Sequence, residues 1–167
     1  MTAQRERRLT ASDTWPANVA AALALASAAV SLFWTLGGTL LLDTVGGAIE
    51  DLARERTVGA IALGLATAAV KVVAGVLALA LVRPWGEPLG RRRVLGASAA
   101  AAAILILWGG ANVLVGGLVL ADVITPSTPP DERSLRWHVF LWDLWFLVWG
   151  VALAMACARA RQRSTLG

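Results

Sequence analysis

Charge is scarce in this chain. Only 16% of its 167 residues are charged, where a soluble domain carries about 25%. That shortfall argues against a water-soluble globule. It equally excludes a disordered chain, which would be polar and highly charged. Cysteine is nearly absent. Cys157 stands alone, so no disulfide framework forms within the chain and no multi-cysteine zinc or iron–sulfur site is available. A single histidine, His138, excludes His-rich metal chemistry. Lysine is as rare: Lys71 is the only one among fifteen basic residues, and the rest are arginines. Catalytic motifs are missing too. There is no Walker loop, no Gly-x-Gly-x-x-Gly opening a helix after a strand, no His-Glu-x-x-His and no Cys-x-x-Cys. His138 and Asp143 are five residues apart, so on a regular helix they do not face each other. No catalytic residue, metal site or cofactor is expected, and the balance leans away from an enzyme.

Apolar residues fill the space that charge leaves. They make up 57% of the chain, and mean hydropathy is +0.67. A bilayer core of about 30 Å needs about 20 apolar residues in a helix. Four segments qualify, at residues 16–42, 58–82, 94–121 and 137–158. The expected fold is therefore all-α: a polytopic membrane protein built as an antiparallel four-transmembrane-helix bundle, with tails at 1–15 and 159–167. Pro16 suits a first helical turn, with Asp13 or Thr14 as its cap. Residues 83–93 read as a tight loop closed by three arginines, and residues 126–130 as an extended, proline-rich connection. Residues 48–56 read as a short surface helix. The first apolar run is too long for the 7–15-residue core of a cleaved signal peptide.

Orientation follows from arginine in the short loops. Arg5, Arg7, Arg8, Arg83, Arg91, Arg92, Arg93, Arg159, Arg161 and Arg163 fall on one side; Arg54, Arg56, Arg133 and Arg136 fall on the other. Ten against four puts both termini in the cytoplasm, which an even number of spans requires. The net charge of +4 lies at membrane edges rather than on a polar domain, so nucleic acid is not an expected partner. The Arg, Ala, Gly and Val bias points to a GC-rich genome and hence to a bacterial plasma membrane.

Helices in lipid pack through small residues and polar contacts. Each span carries such a stripe: Ser27, Ser31, Trp34 and Gly38; Gly64, Ala68, Lys71 and Gly75; Trp108, Gly109, Asn112 and Gly116; Asp143, Leu147, Gly150 and Ala154. These are expected to face the bundle interior. An ionisable group within a span costs about 2.5–3.5 kcal/mol on insertion scales and should have a partner. Trp34, Lys71, Asn112 and Asp143 are accordingly the candidates for a buried polar network or ligand site. At about 1.5 Å per residue, Lys71 lies about 21 Å from the outer edge and Asp143 about 9 Å, so their contact needs tilt or a bridge. In the fourth span, His138, Trp142, Trp145 and Trp149 share a helical face opposite Asp143. Trp near the boundary is ordinary belt chemistry; Trp149 is too deep for that and is expected to meet lipid, a protomer or a flat ligand. Cys157 reads as a packing residue.

The motif Trp34-Thr35-Leu36-Gly37-Gly38, Lys71 in the second span, and Trp142-Asp143-Leu144-Trp145-Phe146-Leu147-Val148-Trp149-Gly150 in the fourth resemble a family of small four-helix integral membrane proteins. That family is catalogued as a domain of unknown function and is common in high-GC Gram-positive bacteria. The similarity covers residues 25–155. It departs at Phe33, where a Tyr is expected. The resemblance implies fold and location, and no activity.

Three functions compete. The first is a non-enzymatic protein holding a membrane lipid or other amphiphile between the Trp-rich span and the polar layer. The second is a proton- or ion-coupled transporter, as a homodimer, working through a Lys71–Asp143 pair. The third is an intramembrane enzyme acting on a lipid or isoprenoid with Asp143 as acid or base; the lack of a second carboxylate in that span weighs against it. A purely structural accessory subunit is the remaining option.

Overall fold

A computed structural model describes residues 11–128 and 130–165, with side chains from 14 to 163 apart from Pro129. Arg5, Arg7, Arg8 and Pro129 lie outside the described residues. Among the described residues there is no strand. Helices α1 (Ala11–Thr35), α3 (Val58–Ala80), α4 (Arg91–Leu120) and α6 (Asp143–Thr165) form the bundle; α2 (Gly47–Glu55) and α5 (Glu132–Trp137) are short. A π-turn at His138–Trp142 joins α5 to α6 without a break. Four stretches are long and apolar enough to cross a membrane: Thr14–Thr35, Val58–Ala80, Arg91–Leu120 and Glu132–Arg163.

Several boundaries differ from the sequence expectation, each for a local reason. Asp13, Thr14 and Pro16 all lie within α1 rather than at its start. At the other end α1 stops at Thr35 instead of running to 42. Gly37 takes a left-handed φ of +101°, its N–H bonds to Trp34 O, and Gly38 N–H reaches back to Phe33 O, both at 2.9 Å. This is a Schellman cap, which needs glycine at the left-handed position. The Trp-x-x-Gly-Gly motif is thus a helix stop. The fourth span begins earlier than residue 137, because Asp131 caps α5: its carboxylate accepts from Ser134 N–H at 2.8 Å. That bond holds the Asp131 carboxyl below the usual carboxylate range. Thr57 caps α3 through Ala60 N–H at 3.2 Å.

The helices pack in the order α3, α1, α6, α4, with α3 and α4 meeting only sparsely. Glycines set the closest seams. On α4, Gly109 lies against the backbone of Asp143 and Leu147, and Gly116 against Val139; Gly150 of α6 lies against Leu105 and Ile106. Gly64 and Gly75 of α3 do the same against Thr35, Ala24 and Leu25 of α1. In lipid, such close approach replaces the hydrophobic drive available in water. The densest core sits at the end holding the α3–α4 loop. There Ala17, Ala20, Ala24, Ala78, Leu153 and Ala156 are each at most 1% exposed. Arg91 donates to Ala160 O and ties α4 to α6 at this end, while Arg159 covers the Trp15 ring with its guanidinium carbon 5.3 Å from the centroid. At the opposite end the bundle opens.

Candidate functional site: a cavity beneath the short helix

The opening is a cavity of about 320 Å³ between α1, α2, α3 and the start of the fourth span. Pockets for small molecules span about 300–1,000 Å³, so this one is at the small end. The amphipathic spacing of α2 roofs it. Ile49, Leu52 and Ala53 face the cavity, while Glu50 pairs with Arg54 at 2.6 Å outside its lining. Val30, Ile61, Leu63 and Phe146 supply further apolar wall.

Two tryptophans complete that wall, each fixed by its indole N–H. Trp34 donates to Leu40 O at 2.9 Å and Trp142 to Thr44 Oγ1 at 3.1 Å. Their rings meet edge to face, centroids 5.3 Å apart, a favoured aromatic geometry. Because both N–H groups are taken up by the α1–α2 loop, the rings offer the cavity apolar surface.

His138 closes the site beside Trp142, and here the sequence expectation is corrected. Steps of 3.6 residues per turn put residues five apart about 140° from each other. The π-turn changes that register: Asp143 N–H bonds to His138 O, five residues back, and the i→i+5 pattern stacks the two side chains. His138 Nδ1 lies 3.0 Å from Asp143 Oδ2, and Nε2 lies 2.8 Å from Val45 O. A carbonyl oxygen only accepts, so Nε2 carries a hydrogen. The Nδ1 contact then needs one more proton, held on either the imidazole or the carboxyl group. Asp143 is 5% exposed and sits behind His138, away from the cavity.

Lys71 lies on the α3 wall. Its ammonium donates to Ser31 Oγ at 2.7 Å and sits 5.6 Å from the Phe146 ring centroid, within cation–π range. Among the described residues it has no carboxylate partner. Arg56, the left-handed residue closing α2, lines the cavity farther out, packed on Gly37.

Of the expected polar network, then, only Trp34 and Lys71 line the cavity. Asn112 bonds to Trp108 O of its own helix at 2.9 Å; Trp108 itself is 63% exposed, so that part of the α4 stripe faces outward. Of the expected aromatic face, His138 and Trp142 line the cavity. Trp145 donates to Leu23 O at 3.1 Å, and Trp149 is 3% exposed inside the core. Trp149 thus meets neighbouring helices of its own chain. The face opposite Asp143 packs on α1, leaving α6 covered on two sides. Sequence reasoning missed Ile49, Leu52, Ala53 and Arg56, whose i, i+3, i+4, i+7 spacing is the signal that α2 has an inner face.

Four apolar helices of this length define a multi-pass, all-α membrane protein. A family described as "Protein of unknown function (DUF3995)" matches residues 23–153, and the chain belongs to it. No curated protein and no solved structure matches the chain.

Proposed function

We propose that this is a non-enzymatic protein of the bacterial plasma membrane that holds a lipid-like amphiphile in the cavity beneath α2. In this proposal both termini are cytoplasmic and the cavity opens toward the outer face of the bilayer. The observation that carries it is the composition of the wall: apolar and aromatic side chains from four elements, with the bonded pair Lys71 and Ser31 among them. That is the usual make-up of a small-molecule site. The alternatives draw less support. Lys71 bonds to Ser31 and Asp143 to His138, so the Lys71–Asp143 pair that a coupled transporter would use does not form. Asp143 also stands behind His138, out of reach of a substrate in the cavity.

Native mass spectrometry of the full chain from mild detergent tests the proposal. An amphiphile should remain on the wild type and be lost from Thr67→Trp, which places a large ring into the cavity from an exposed position on its wall. Equal retention by both proteins would contradict it.

A further inference from the structure

We infer that the cavity selects an anionic, single-chain amphiphile whose carboxylate is received deep in the bundle by Lys71 and Ser31; this rests on the amphiphile-binding proposal above. The inference comes from the hydrogen-bond capacity of the two groups. An ammonium has three N–H donors and no acceptor, and Ser31 Oγ takes only one of them. Because that oxygen accepts from Lys71, its own O–H is left to donate. Ser31 is 7% exposed, so this hydrogen points into a place that water reaches poorly. Lys71 and Ser31 together present donors and one positive charge at the same level. The complement is a group that is acceptor-only and negative, which describes an ionised carboxylate.

The protein itself supplies no such group among its described residues. Glu50 is paired with Arg54, and Asp143 is engaged by His138. A charge in a span without a partner is costly, whereas a charge-assisted hydrogen bond is about twice as strong as a neutral one. The rest of the wall then fits an alkyl chain: Ile49, Leu52, Ile61, Trp34 and Trp142 line the same cavity as Lys71. Lys71 is fourteen residues past the Thr57 cap, or about 21 Å along α3 at 1.5 Å per residue. A cavity of about 320 Å³ is the space of about ten waters, enough for much of one chain but not for a two-chain lipid. Arg56 stands at the outer end, where it meets an acid on entry rather than at rest.

The test compares two probes with the same chain and different heads: a bromine-tagged stearic acid and the matching alcohol. Both are titrated into delipidated full-length protein in non-ionic detergent at neutral pH, where a carboxylic acid is ionised. Bromine quenches tryptophan on contact, and Trp34 and Trp142 line the cavity. The acid should bind about tenfold more tightly than the alcohol. Lys71→Met should abolish that preference, so that the variant binds acid and alcohol alike, and its cooperative thermal unfolding in detergent should show that it is folded. Arg56→Gln should keep the preference. Equal binding of acid and alcohol by the wild type would overturn the inference and leave amphiphile binding intact. So would a preference lost in Arg56→Gln but kept in Lys71→Met, since the acid would then rest at the mouth. Quenching by neither probe would overturn both the inference and the proposal beneath it.

Discussion

Gly109→Ala and Gly110→Ala place the same methyl group on neighbouring residues of α4 and should move stability in opposite directions. A Cβ at Gly109 would stand 2.6 Å from both Asp143 O and Leu147 N, and 3.1 Å from Leu147 Cα. These are backbone atoms of a helix and cannot step aside. Non-bonded atoms favour separations of about 3.5–4.0 Å, so α4 must retreat from α6 by about 1 Å. A gap of that size forfeits about a quarter to a half of each dispersion contact along the seam, and overpacking of this kind costs about 1–3 kcal/mol. Alanine returns about 0.8–1.0 kcal/mol of helix propensity, leaving a net loss of up to about 2 kcal/mol. At Gly110 the nearest atom is the tip of Leu147, Cδ1 at 3.7 Å, which is ordinary contact. The propensity gain then stands alone, and the variant should be neutral or up to about 1 kcal/mol more stable. In thermal unfolding in detergent, Gly109→Ala should melt up to about 8 °C lower on the scale of domains this size, and Gly110→Ala no lower than wild type. Equal melting of the two variants would refute the α4–α6 seam as described.

Other consequences follow from the same contacts. In double-mutant cycles, His138→Ala with Asp143→Asn should show a coupling of about 0.5–3 kcal/mol, and Lys71→Met with Asp143→Asn a clearly smaller one; the reverse order would contradict the observed partners. Trp149→Ala should cost about 3–5 kcal/mol, as expected for a buried tryptophan, whereas Trp149→Phe should be far milder, because the buried indole Nε1 has no partner among the described residues. If the two substitutions destabilise alike, the packing account of Trp149 is wrong. In a Cys157→Ala background, a cysteine replacing Thr128 should react with an impermeant reagent on intact cells and one replacing Glu87 should not; the opposite pattern would invert the proposed orientation.

The four spans were legible in the sequence because periodicity hardly matters when a whole helix is apolar; length and the lack of charge are enough. Gly64, Gly75, Gly109, Gly116 and Gly150 were likewise legible as seam residues. What stayed hidden depends on backbone register. A helical wheel drawn with regular steps separates His138 from Asp143, and one π-turn brings them together. The same wheel gathered His138, Trp142, Trp145 and Trp149 on one face, but could not say that Trp145 is taken up by Leu23 O of α1. Gly37 and Gly38 were visible as a motif, yet their role is to stop α1 and release the loop that anchors Trp34, Trp142 and His138. Lys71 stood out as the lone charge in its span, while its partner was misjudged. The carboxylate of Asp143 is the stronger electrostatic attraction, but Ser31 stands across the α1–α3 seam within hydrogen-bond reach of the ammonium.

Photo-crosslinking with a diazirine-tagged fatty acid, mapped by peptide mass spectrometry, bears most directly on the central claim. Every membrane-exposed surface sees bulk lipid, so saturable labelling that untagged acid competes away is the informative part. An amphiphile held beneath α2 predicts that this competable label falls on peptides containing Trp34, Ile49, Leu52, Ile61 and Trp142, with little on the exposed α4 residues Leu107 and Leu114. Competable label spread evenly over α4 and the cavity wall, or label that untagged acid never displaces, would contradict it.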